Sequence, residues 1–174
     1  MEKTLYSVVA EKLGAEAFKG ASLLDVGCAR FTESVVMREM GAKVTALDVC
    51  KRVEPPEGVD FILEDFLKWE PDHGFDILYM SNSALFMPSE EAFKKIESID
   101  PRTIAVRTMY DYPEPNWDAS ELKTLYFTTP EDWKSRFEPL GFKTLHAEKY
   151  EISTPDMKGR TRVFRFTEYI GTKN

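Results

Sequence analysis

One stretch constrains this chain more than any other: Leu23-Leu24-Asp25-Val26-Gly27-Cys28-Ala29-Arg30-Phe31, answered by Val44-Thr45-Ala46-Leu47-Asp48. An apolar run ends at a glycine, a helical pattern follows, and a second apolar run ends in an acid. A buried strand, a tight turn into a helix, and a second buried strand beside the first form the start of a parallel sheet. In such sheets a nucleoside-bearing ligand sits at the carboxyl ends of the strands, with the acid within reach of a ribose. The turn itself departs from the glycine-rich form: after Gly27 come Cys28, Ala29, Arg30 and Phe31.

The rest of the chain continues the alternation. A helical face made by Leu5, Val8, Val9, Leu13 and Phe18 precedes the first strand (22–26) and ends at Gly20. A helix over 32–40 leads to the second strand (43–47). The next connection, 51–58, contains Pro55-Pro56, and two prolines forbid a helix there. Strands are expected at 59–63, 75–80 and 103–107, with a short helical turn at 66–69. A helix enters through Pro88 in its first turn, with Glu90 and Glu91 at its positive end, and runs to Ser98. Residues 109–129, rich in Tyr, Pro and Trp, read as a long loop over the site. Thr129 caps a helix that stops at Gly141, and two alternating strands, 142–150 and 162–169, finish the chain around a polar loop at 153–159. The fold expected is α/β: a Rossmann-like three-layer sandwich with a mostly parallel seven-stranded sheet ending in an antiparallel hairpin. Its 174 residues fit one domain, with an N-terminal helix in 1–20.

Composition narrows the partners. A net charge of -7 argues against nucleic acid and anionic membrane, because phosphates repel an acidic surface. Lys158, Arg160, Arg162 and Arg165 make the one local basic run, readable as a patch or as a solvated strand face. The two cysteines, Cys28 and Cys50, have no further ligand cluster around them, so no metal site is expected, and they suit a reducing, cytoplasmic setting. No apolar run approaches the roughly 20 residues that span a bilayer.

The residues that follow each strand are the candidate site. They are Gly27 to Phe31, then Asp48 and Val49, then Glu64-Asp65-Phe66, then Ser81-Asn82-Ser83, then the segment around Tyr110 and Tyr112. Asp48 can accept from both hydroxyls of a ribose, or serve as a turn acid. Asp65 can read an adenine amino group with Phe66 beside it, or cap the turn after it. Asn82 and Tyr110 are the candidate catalytic residues, and Asn82, Tyr110 and Tyr112, with Trp117, the candidate substrate-binding set. Tyr79 and Asp111 also stand near this crest.

Leu-Leu-Asp-Val-Gly-Cys, Val-Thr-Ala-Leu-Asp-Val, Glu-Asp-Phe, Phe-Asp-Ile-Leu, and the later Thr-Pro-Glu-Asp-Trp and Pro-Leu-Gly-Phe occur in this order. Together they resemble the class I (seven-stranded, Rossmann-like) S-adenosylmethionine-dependent methyltransferases. The resemblance implies S-adenosylmethionine as cofactor and a small-molecule or side-chain methyl acceptor. It implies that Asp25 supports the turn and that the loop of Gly27, Cys28 and Ala29 wraps the methionine half. It places Asp48 and Val49 at the ribose, Asp65 and Phe66 at the adenine, and Ser81 beside the cofactor. The family's loop is roughly Gly-x-Gly-x-Gly, often followed by Arg-Phe-Thr, and two alignments stay open. Either Ala29 and Phe31 replace the second and third glycines in place, with Phe31 in cofactor space. Or two residues are deleted, Arg30-Phe31-Thr32 match the family's Arg-Phe-Thr, and Phe31 is a core side chain. The first alignment suits a non-catalytic binding subunit with a degenerate loop, the alternative to an enzyme. The short stretch before Leu23 leaves the site either open or completed by a second copy in a homodimer.

Overall fold

A computed structural model describes residues 4–114, 124–155, 159 and 161–173, the side chains of Pro113 and Glu114 excepted. Its strands are β1 (Ser22–Val26), β2 (Lys43–Asp48), β3 (Val59–Leu63), β4 (Ile77–Ser81), β5 (Thr103–Glu114), β6 (Lys143–Pro155) and β7 (Thr161–Thr172). They form one seven-stranded sheet in the order β3-β2-β1-β4-β5-β7-β6. The first five strands in that order are parallel, and β7 runs antiparallel to both β5 and β6.

Period-two alternation explains the layers. Leu23, Ala46, Tyr79 and Ala105 face one side, where they meet Leu5, Val8 and Val9 of α1 (Leu5–Leu13) and Met37 of α2 (Thr32–Glu39). Leu24, Leu47, Leu78 and Val106 face the other, against Phe93, Ile96 and Ile99 of α3 (Ser89–Ile99) and Trp133 and Phe137 of α4 (Pro130–Phe137). Strands with apolar residues on both faces have to be covered twice, which gives the helix-sheet-helix sandwich read from the sequence.

Local signals acted as expected in places. Thr129 caps α4 in a capping box with Asp132, and 51–58 holds no helix. Elsewhere the boundaries move. The first helix stops at Leu13, because Gly14 takes φ +87°, and a separate 3-10 turn, Ala15–Phe18, completes the segment. Pro88 stands at the N-cap of α3 rather than inside its first turn. β4 begins at Ile77, two residues later than expected, and includes Ser81.

The largest correction concerns the loop expected over 109–129. Its first part, 109–114, is strand: β5 continues past a bulge after Met109, pairing Asp111 with Arg165 and Glu114 with Val163. β6 and β7 lengthen in step, so 153–155 also belongs to strand rather than to the polar loop. Three strands thus rise as an arm past Ser81, where β4 ends.

Candidate active site

Two adjoining cavities lie at the carboxyl ends of β1, β2 and β4. The larger, ≈ 680 Å³, is bordered by Gly27 and Ala29 from the first turn, Asp48 and Val49 after β2, and Asp65 and Phe66 after β3. Ser81, Asn82 and Ser83 close it from β4. The smaller, ≈ 440 Å³, is bordered by Asp25, Gly27, Cys28 and Ala29, and shares Ser81 and Asn82 with its neighbour. The residues predicted from the strand ends as the cofactor set therefore all border one cavity or the other.

The turn after β1 resolves the loop question in an unexpected way. Gly27, Ala29 and Phe31 take φ of +80°, +49° and +62°, three left-handed positions in alternation. The two non-glycine residues each carry a cost of about 1–2 kcal/mol in this region. That backbone is the path expected if Ala29 and Phe31 replace glycines in place. The Phe31 ring, however, does not stand in the cavity: it is 2% exposed, sits in the core, and meets Phe61 edge-on at 5.3 Å. Backbone from one alignment and side chain from the other coexist. Gly27 itself has no substitute, since a Cβ on it would lie 2.4 Å from the Ser83 Cβ.

Asp48 ties the turn down. Its two carboxylate oxygens accept from the backbone N–H groups of Ala29 and Cys50, both at 2.9 Å, while the Gly27 N–H donates to the Leu47 carbonyl at 2.7 Å. Asp48 is therefore a turn acid, and a carboxylate with about four acceptor positions keeps capacity for a ligand. Asp65 likewise accepts from the Leu67 N–H at 3.0 Å and caps the turn that follows.

Burial sets the electrostatics. The Asp25 carboxyl is pushed up to about 7, first by desolvation and further by the charges of Glu33 and Asp48, against the lowering effect of the Ser34 hydroxyl that donates to it. Burial, with Asp25 and Asp48 nearby, pushes the Cys28 thiol up to about 12, so it is neither nucleophile nor base at neutral pH. The Asn82 Oδ1 and Ser83 Oγ atoms are buried without a hydrogen-bond partner, and Asn82 holds φ +65°.

The tyrosines predicted for substrate do not join this site. Continuation of β5 carries them onto the arm, where the Tyr110 ring packs against Lys149 Nζ at 5.3 Å and Tyr112 meets Phe127 edge-on at 4.5 Å. Neither borders the two cavities. Asp111 is exposed on the same arm, and Trp117 lies outside the described residues. Tyr79 is not at the crest either: it is fully buried within β4 and its hydroxyl donates to Glu33 at 2.9 Å. Among the residues that strand-end reasoning missed are Glu33 at the smaller cavity, Phe86 at the larger, and Arg52, which borders both. Phe86 is 65% exposed and its neighbour Leu85 is buried, a difference that the apolar run 84–87 does not announce.

Away from these cavities, Arg107 and Glu168 form a buried ion pair at the floor of the arm, with Nε–Oε1 2.8 Å. Burial raises the Glu168 carboxyl, yet bonds from His146, Arg107 and Tyr150 hold it below its ordinary range. His146 is thus part of a structural network. The basic run near the C-terminus does not make a patch: Arg162 is buried, Arg165 pairs with Glu151 and Asp111, and Lys158 and Arg160 lie outside the described residues. Among the described residues there is no cluster of His, Cys, Asp and Glu able to hold a metal, and no helix long and apolar enough to cross a membrane.

No family model and no curated protein sequence matches the chain. Solved structures do. Magnesium protoporphyrin IX methyltransferase from Synechocystis PCC 6803, with bound SAM, is 15% identical and superposes with a TM-score of 0.65 over 98% of this chain and 78% of that one. An S-adenosylmethionine-dependent methyltransferase from Mesorhizobium loti is 16% identical, with a TM-score of 0.68 over 98% of both chains. The 1,6-didemethyltoxoflavin-N1-methyltransferase of Burkholderia thailandensis is 17% identical, with a TM-score of 0.62 over 98% of this chain and 77% of that one. The fold is the Rossmann-like fold of the class I S-adenosylmethionine-dependent methyltransferases.

Proposed function

We propose that the chain is an S-adenosylmethionine-dependent methyltransferase acting on a small-molecule or side-chain acceptor. One observation carries the reading: the left-handed alternation at Gly27, Ala29 and Phe31, of which Gly27 and Ala29 border the cavity at the strand ends. Ala29 is held in a costly backbone where a ligand must approach closely, and Gly27 leaves no room for a side chain beside Ser83. The chemistry of the lining fits the cofactor. Asp48 offers a carboxylate to the ribose hydroxyls. Val49 and Phe66 are apolar faces for the adenine, and Asp65 is an acceptor for its amino group. Asp25, Gly27, Cys28, Ala29 and Ser81 border the end where the methionine half would lie.

When bound, the cofactor supplies an electrophilic methyl group on a positively charged sulfur. The protein's own task is to hold the acceptor in line with that methyl, a contribution worth up to about 7–11 kcal/mol. Asn82, which borders both cavities, is the residue for this task. Three acids near it are engaged: Asp48 by backbone N–H groups, Asp25 by Ser34, Glu33 by Tyr79. Positioning, rather than proton abstraction, is what Asn82 and these engaged acids offer.

Titration calorimetry of the purified protein with S-adenosylmethionine and S-adenosylhomocysteine tests the reading. Both are expected to bind, and Asp48→Ala to weaken both by about tenfold or more, the worth of one or two charge-assisted hydrogen bonds. A non-catalytic subunit with a degenerate loop gives no heat with either, and that result overturns the proposal.

A further inference from the structure

The sheet ends in two edge strands of opposite character, β3 and β6. β6 carries Lys143, Glu148, Lys149 and Glu151, closes on Pro155 and is bulged after Thr144, devices that discourage another strand from adding to it. β3 is Val59-Asp60-Phe61-Ile62-Leu63, with one charge, no proline and an unbroken register against β2. The Glu64 N–H donates to the Asp48 carbonyl at 3.1 Å. Alternation then turns the even-numbered residues of β3 toward β2 and points the N–H and C=O groups of Phe61 and Leu63 outward. Among the described residues no group bonds to them there. The sheet face beside this edge is bare as well. A crossover helix covers the face beside the strands it joins, but Pro55-Pro56 leaves 51–58 without one, and Val53 and Leu63 stand 41% and 58% exposed.

A second copy of β3, turned antiparallel about Phe61, matches this edge. Val59 meets the partner's Leu63, Phe61 the partner's Phe61, and Asp60 the partner's Ile62. Outward groups meet outward groups, and no like charges oppose each other within the strand. The flanks agree in charge. Gly58 comes opposite the partner's Glu64, and Arg38 lies on Gly58: its guanidinium donates to the Glu57 carbonyl, and a Cβ on Gly58 would be 3.2 Å from its Cδ. Glu64 is exposed, and its carboxylate meets the Asp65 N–H but no basic side chain among the described residues. We propose that the chain forms a two-fold dimer in which β3 pairs with β3 of a second copy, with Arg38 of each at the partner's Glu64. The two sheets become one, and the inference is independent of the methyltransferase reading.

Sedimentation equilibrium of the purified protein tests it. A five-residue strand pair with flanking ion pairs is a small interface, so a dimer is expected at about 100 μM, with a Kd on the order of 10 μM. Leu63→Lys sets a charge against the partner's Val59 and is expected to raise the Kd about tenfold or more. Thr154→Lys, the same charge on exposed β6, is expected to leave it within about twofold. Arg38→Glu and Glu64→Arg are each expected to weaken the dimer about tenfold, and the double variant to return to within about threefold of wild type, because each copy again offers the partner the opposite sign. The charge exchange decides the matter if Leu63→Lys does not fold, as circular dichroism would show. A wild-type monomer at about 100 μM overturns the proposal. So does a dimer that folded Leu63→Lys leaves intact, that Thr154→Lys disrupts, or that the double variant fails to restore.

Discussion

Adding one methyl group to Gly27 puts the geometry of the turn to a quantitative test. The Cβ of Gly27→Ala would lie 2.4 Å from the Ser83 Cβ, 3.2 Å from its Oγ and 3.6 Å from its Cα. Carbon atoms rest at about 3.5–4.0 Å, so Ser83 has to retreat by roughly 1 Å or more. A Cβ cannot rotate away, and the Ser83 backbone moves with it. Overpacking of this kind costs about 1–3 kcal/mol. The φ of +80° adds about 1–2 kcal/mol for any L residue. The total expected is about 2–5 kcal/mol. Gly141 separates the two contributions, because it holds the left-handed φ +90° with nothing within 4 Å of an added Cβ. Gly141→Ala therefore carries the backbone cost alone. Ser83→Gly in the Gly27→Ala background removes the atom that collides, and a double-mutant cycle should return a coupling of about 1–3 kcal/mol. Urea unfolding of the four proteins, together with Gly141→Ala, measures every quantity. The reasoning fails if Gly27→Ala is no more destabilising than Gly141→Ala, or if the cycle shows no coupling.

Other consequences are independent of the turn. Asp25 is pushed from 3.8 up to about 7, so between those values the folded chain holds a proton that the unfolded chain has released, and stability falls as pH rises through that window. Asp25→Asn has no proton to lose. Urea melts at about pH 4 and about pH 8 should show it gaining on the wild type by up to about 1.4 kcal/mol per pH unit, and parallel curves would refute the shift. Glu168→Ala takes the carboxylate from buried Arg107 and is expected to cost about 3–5 kcal/mol in the same assay; a loss below about 1 kcal/mol counts against a buried ion pair. With its thiol pushed up to about 12, Cys28 should resist iodoacetamide in the folded protein while exposed Cys50 reacts, as peptide mass mapping would show. Equal labelling of the two contradicts the burial.

The parts of the fold legible in the sequence are those set by short-range pattern. Runs such as Leu23-Leu24 and Ile104-Ala105-Val106 announce strands covered on both faces, and the acids after them announce the carboxyl ends. Thr129 and Asp132 give their helix start away by spacing alone. The arm was illegible because Tyr110, Tyr112 and Pro113 look like loop, and only pairing with β7, about fifty residues later, makes them strand. The bond between Tyr79 and Glu33 spans 46 positions and leaves no local trace. Phe31 defeated both alignments for another reason. A bulky residue at φ > 0 is rare enough that sequence reasoning chooses between its backbone and its packing, whereas the fold tolerates the first to gain the second.

The place of β7 between β5 and β6 also dictates an order of assembly. β6 reaches the sheet only through β7, the last of the seven strands to be synthesised. Until Thr161–Thr172 has left the ribosome, β5 presents an unsatisfied ladder edge and β6 has nothing to dock on. The half from β3 to β5 can form early, with the growing chain carrying that open edge beside it. The nascent protein is then most exposed to strand capture by its neighbours in the interval between the emergence of β5 and that of β7, and a slower exit of β7 would lengthen that interval.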